Sequence, residues 1–155
     1  MLSLINKLPE QVFRHIPESL VLLLARFALA AVFWLSGQTK IEGFALNPLT
    51  GTFEFGWPSI KDTSFFLFEY EYALPLIPAT WATYLATTAE HLLPIMLLLG
   101  VGTRLSAFGL MLMTLVIQTF VYPEAYVLHA SWAAIALFIM QRGPGKLSLE
   151  GWRHH

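Results

Sequence analysis

Several polar residues interrupt or close long apolar runs, and these are the residues whose chemistry could matter. Arg26 sits inside Leu20–Leu35, Glu90 and His91 sit inside Ala73–Gly100, and Lys40 closes the first run. A charged side chain at the centre of a bilayer costs about 2.5 to 3.5 kcal/mol on insertion scales, so each of these needs a partner or a purpose. If the first two runs cross in opposite directions, Arg26 lies roughly 10 Å and Glu90 roughly 15 Å from the same boundary. The matched depths predict an Arg26–Glu90 ion pair with His91 beside it. Such a pair can fix helix packing and nothing more, or it can mark a proton or ligand site that draws in His91 and Lys40. Thr83 and Thr87 align with Glu90 at helical spacing, although threonines there can simply bond their own backbone.

A second polar group gathers at the opposite boundary. Gln38 and Lys40 end the first run, Gln118 and Tyr122 end the third, and His129 begins the fourth with Trp132 one turn later. Two readings stay open for this group. The side chains can cap helices and anchor rings at the interface, or they can bond the headgroup of a quinone or another amphipathic ligand. His91 and His129 are the intramembrane histidines available to haem, but they lie at different depths, so no bis-histidine haem is expected and no metal site is assigned.

The elements that must position these residues follow from composition. The chain has 155 residues, 56% hydrophobic and 12% charged, with mean hydropathy +0.61. Soluble domains carry about 25% charged residues, so this is an integral membrane protein of one domain. The absence of cysteine excludes disulfides, thiol chemistry, iron–sulfur clusters and thiolate haem, and a net charge of -1 leaves no nucleic-acid footprint.

Four spans are predicted, at about 20–41, 73–100, 105–121 and 126–141, forming an all-α antiparallel four-helix bundle. The first reads as a retained helix rather than a signal peptide, because an arginine interrupts it and no A-x-A site follows. In the second, Pro75 and Pro78 fall in the opening turns and Pro94 predicts a kink. Only Val101–Arg104 separates the second span from the third, and the short fourth must tilt or use Gln141 at the interface. Between the first two spans, Glu42–Tyr72 carries Phe53, Phe55, Trp57, Phe65, Phe66, Phe68, Tyr70 and Tyr72. It reads as an aromatic interfacial loop, with a ligand-covering lid as the alternative.

Lysine and arginine orient the chain. Lys7, Arg14, Arg104, Arg142, Lys146 and Arg153 fall on one side, against Lys40 and Lys61 on the other. The positive-inside rule then makes both termini cytoplasmic.

The segments Arg26–Ile41, Ala89–Leu105 and Gln118–Tyr126, with His129 and Trp132, resemble the DoxX family of small four-helix bacterial membrane proteins. Arg26, Gly37, Lys40, Glu90, Gly100 and Arg104 carry the polar signature. The tail Arg142–Glu150 is similar to that of DoxX proteins found beside peptide-modifying iron enzymes. The resemblance implies a bacterial inner-membrane protein that serves as the membrane subunit of a quinone-linked redox system or as the partner of an oxidoreductase. A non-catalytic anchor and a small-solute transporter component are the alternatives, and a homo-oligomer stays open.

Overall fold

The computed structural model describes residues 14–152. Lys7 and Arg153, two of the basic residues used to orient the chain, lie outside them. The first spanning helix, α1, runs Glu18–Lys40. It starts after the extended Pro17 and carries Glu18 in its first turn and Lys40 in its last, the charges that suit the two poles of a helix.

The segment after α1 corrects the all-α expectation. It folds as a β-hairpin of β1 (Ile41–Asn47) and β2 (Thr52–Ile60), antiparallel, with Ile41 opposite Ile60 and Asn47 opposite Thr52. The turn is built by Asn47, whose side-chain oxygen accepts from the Leu49 and Thr50 amides at 3.1 and 3.4 Å, and by Gly51 at φ 67°. Phe53, Phe55 and Trp57 recur at every second residue, the period of a strand. They remain exposed, Trp57 at 92%.

A short helix, α2 (Asp62–Phe66), continues into a π-helical turn, Leu67–Tyr72, which ends where Ala73 turns left-handed at φ 41°. The second spanning helix, α3, therefore begins at Ala79 rather than Ala73 and runs to Leu99. Pro75 and Pro78 precede it instead of opening it, whereas Pro94 lies inside it. Gly100, at φ 71°, ends α3, and its amide bonds Leu97 O while the Val101 amide bonds Met96 O. Next come α4 (Thr103–Val116) and a second π-helical turn, Ile117–Val121. A 3-10 turn, Pro123–Ala125, leads to α5 (Tyr126–Arg142), and α6 (Leu149–Trp152) closes the described chain.

Four helical stretches are long and apolar enough to cross a membrane: 18–40, 79–99, 103–121 and 123–142. Their most apolar windows are only 17 to 33% buried within the protein. The rest of each apolar surface, including Leu24, Phe27, Trp81, Leu105 and Val127, faces outward, which suits lipid and not water. The packed core joins Leu29, Ala30 and Phe33 of α1 to Leu97 of α3, Ala107 and Leu110 of α4, and Ala136 and Ile139 of α5. It lies toward the end of the bundle that holds the C-terminal tail.

Candidate functional site

Arg26 and Glu90 do not meet. The Arg26 guanidinium is fully buried, and Nη1 donates to Leu97 O at 3.2 Å and Leu98 O at 3.1 Å, while Nη2 donates to Leu147 O in the tail. It thus serves the last carbonyls of α3, adding a second donor to Leu97 O, which the Gly100 amide also reaches, and supplying one to Leu98 O. The expected pair fails on register. Position 26 of α1 lies level with 97–98 of α3, so Glu90 is about two turns, roughly 10 Å, further along. At that level α1 presents Ser36 and Lys40.

The carboxylate of Glu90 is held by Lys40. Nζ lies 2.8 Å from Oε2 and 2.9 Å from Oε1, with the two side chains only 7% and 4% exposed. Ser36 Oγ donates to Oε1 at 2.9 Å and accepts from Nζ at 3.1 Å, and Ser36 O accepts from Nζ at 3.3 Å. The lysine backbone is fastened as well, because Lys40 O accepts from the Lys61 amide at 3.0 Å and from Ser64 Oγ at 3.1 Å. Hairpin, α2 and α1 therefore converge on the residue that holds the charge.

Beside this pair lies a cavity of about 500 Å³. Ala82, Ala86 and Ala89 leave room on the α3 wall, Phe33 and Trp132 close the core side, and Phe68, Tyr72, Ile117 and Val121 bring both π-helical turns to its rim. Ser36, Lys40, Glu90, Tyr122 and His129 supply the polar lining. The walls are otherwise apolar and aromatic, an amphipathic slot with a few convergent polar groups.

The predicted polar group divides in two. His129, 4% exposed, faces Gln118 Oε1 through Nδ1 at 2.7 Å and packs on Trp132 with ring centroids 5.1 Å apart. Tyr122 lies at the same mouth, with its ring 6.0 Å from that of Tyr72 and its hydroxyl 3.4 Å from Glu71 Oε1. Gln38 is elsewhere. Its side-chain nitrogen meets His91 Nε2 at 3.1 Å, and its oxygen accepts from the Leu46 amide at 2.7 Å. His91 Nδ1 lies 2.7 Å from Thr87 O, and its ring fills the space above Gly37, where an added Cβ would come within 2.8 Å of it. His91 and Gln38 therefore tie α1, α3 and the hairpin together and do not line the cavity.

Of the aromatic segment Glu42–Tyr72, Phe53, Phe55 and Trp57 are exposed on the hairpin, whereas Phe68 and Tyr72 of the first π turn line the cavity. Burial, then Tyr122 and the carboxylates of Glu71 and Glu90, raise the ionisation of the Tyr72 hydroxyl well above its ordinary value. Ser36 is a lining residue that the sequence did not single out. The signal for Ser36 was its place one turn before Lys40.

The tail end is finished by the chain's own C-terminal segment. The Glu150 amide bonds Gly100 O at 3.1 Å, and the Glu150 carboxylate accepts from the amides of Gly102 and Thr103 at the start of α4. Thus one short segment serves the end of one spanning helix and the start of the next.

The sequence model of one family, DoxX, matches residues 21–123, well over half of the chain. No curated protein and no solved structure matches it.

Proposed function

This chain belongs to the DoxX family, and from that premise we propose that it binds a quinone or a chemically similar amphipathic ring in the cavity beside Lys40 and Glu90, as the membrane subunit of a redox system. One observation carries the reading: a buried, hydrogen-bonded charge pair stands in the wall of an otherwise apolar and aromatic cavity. A pair that served packing alone would be expected to have close-packed neighbours, whereas this one borders a space large enough for a substituted ring. Glu90, His129 and Tyr122 offer polar contacts to a headgroup, and Phe33, Trp132 and Leu85 offer the apolar slot.

The remainder of the proposal is placement. The bundle is antiparallel and forms one domain in the bacterial inner membrane, with the tail end cytoplasmic and the hairpin end exterior. Arg14, Arg104, Arg142 and Lys146 support this orientation through the positive-inside rule. The proposed partner is an oxidoreductase, including the peptide-modifying iron enzymes that the tail Arg142–Glu150 suggests.

The test is purification of the full chain in mild detergent or native lipid discs, followed by extraction and quantification of quinone per mole of protein. Wild type should carry quinone and gain thermal stability when more is added. Ala86→Phe, which fills the cavity, and His129→Ala should both lower the bound fraction. Wild-type protein that carries none, and whose melting temperature ignores added quinone, would overturn the reading and leave a membrane anchor in its place.

A further inference from the structure

Two one-way hydrogen bonds place a proton on Nδ1 of His129. The Pro123 carbonyl only accepts, so the group 2.8 Å from it must be the Gln118 amide nitrogen, as found. The Gln118 oxygen then faces His129 Nδ1 at 2.7 Å and must receive a proton from it. A neutral imidazole that donates through Nδ1 keeps a lone pair on Nε2. His129 lines the cavity and is 4% exposed, and its Nε2 has no hydrogen-bond partner among the described residues.

The other polar groups around the cavity point the same way. Glu90 adds a carboxylate, a pure acceptor. Several neighbouring donors are already engaged: Lys40 on Ser36 and Glu90, the Ser36 hydroxyl on Glu90, and the Tyr122 hydroxyl on Glu71. The acceptor left without a partner at the cavity is therefore His129 Nε2, beside a Glu90 carboxylate already paired with Lys40 and Ser36.

We propose that this cavity selects a ligand whose polar end is a hydrogen-bond donor, which within the quinone reading means the hydroquinone and not the quinone. A ring hydroxyl donates to His129 Nε2, whereas a quinone carbonyl would set its lone pairs against that nitrogen and leave both unpaired. The inference rests on the proposed quinone reading and adds the redox form to it.

The experiment titrates the full chain, in lipid discs and without oxygen, with three probes: a short-chain benzoquinone, its hydroquinone and the dimethyl ether of that hydroquinone. The hydroquinone should bind at least about tenfold more tightly than the other two, the loss of one hydrogen bond's worth of affinity. In His129→Ala the preference should vanish, with the three probes equal. Gln118→Glu should move the preference toward the benzoquinone, because a carboxylate at Nδ1 favours the doubly protonated ring, whose Nε2 donates. Equal affinities in the wild type, or tighter binding of the benzoquinone, would overturn the donor preference and leave the quinone reading standing. Failure of all three probes to bind would overturn that reading, and this inference with it.

Discussion

α1 buries two cations, and the two ends of the bundle treat them differently. At the tail end Arg26 is enclosed by backbone: its guanidinium reaches Leu97 O, Leu98 O and Leu147 O, and its neighbours form the packed core. At the hairpin end Lys40 meets a carboxylate, and the pair looks into a cavity. The difference follows from the side chains. A planar guanidinium with five donors can satisfy several carbonyls at once, which suits the closing of a helix end. A lysine offers a compact charge that a single carboxylate and a serine satisfy, and it leaves the adjoining space free. Burial of a charge inside this membrane protein is thus no sign of function by itself; what separates the two sites is the empty volume beside one of them.

The largest effect should come from removing the structural cation. Arg26→Leu takes the guanidinium away from the carbonyls of Leu98 and Leu147, leaves Leu97 O with the Gly100 amide alone, and detaches the tail, at a cost of about 3 to 5 kcal/mol. The melting temperature in detergent should fall steeply, and Arg26→Lys should restore only part of it, because one ammonium cannot span three carbonyls on two segments. A mild loss in Arg26→Leu would break the contrast by making both cations equally dispensable.

The second effect is smaller and has a different form. Lys40→Leu or Glu90→Leu strands one charge, but the cavity lets water reach the survivor, so each single change should cost about 1 to 3 kcal/mol. The double variant should cost clearly less than the sum of the two. The matching cycle of Arg26→Leu with Glu90→Leu should be additive, since position 26 sits level with 97–98 rather than with 90. Coupling in the Arg26 cycle and strict additivity in the Lys40 cycle would restore the pairing expected from the sequence.

That expectation shows where sequence reasoning runs out. Four spans, the polar residues inside them and the aromatic segment between the first two are legible, because apolar length and buried charge follow directly from what a bilayer tolerates. Register between two helices does not. Counting Arg26 from the start of the first helix and Glu90 from the end of the second treats those two ends as level, whereas Arg26 reaches the carbonyls of Leu97 and Leu98, so α1 begins beyond the level at which α3 ends and Lys40 takes the place of Arg26 beside Glu90. The hairpin is legible in the alternation of Phe53, Phe55 and Trp57 after the N-P-L-T-G turn, although aromatic residues crowded beside a span also suit an interfacial loop. The cavity was not legible. It arises where Ala82, Ala86 and Ala89 face two π-helical turns, and no local pattern announces either the gap or the turns.

The smallest effect concerns the mouth of the cavity and sharpens the contrast through pH. The folded protein holds the Tyr72 hydroxyl protonated, first by burial and then by Tyr122 and the nearby carboxylates, while an unfolded chain releases that proton near the ordinary tyrosine value of about 10. A group whose folded ionisation is raised contributes its full stability below the unfolded value and loses it as pH climbs past that value toward the folded one. Wild type should therefore lose more thermal stability between pH 9 and pH 11.5 (roughly one unit below the unfolded value and the same or more above it) than Tyr72→Phe does. Other tyrosines and lysines titrate in both proteins, so the difference between the two pH profiles isolates this one hydroxyl. Arg26→Leu should shift the wild-type profile down without changing its alkaline slope, because the carbonyls it serves do not titrate. An alkaline slope that survives unchanged in Tyr72→Phe would show that the hydroxyl ionises freely, and the mouth of the cavity would then be as open to water as the hairpin above it.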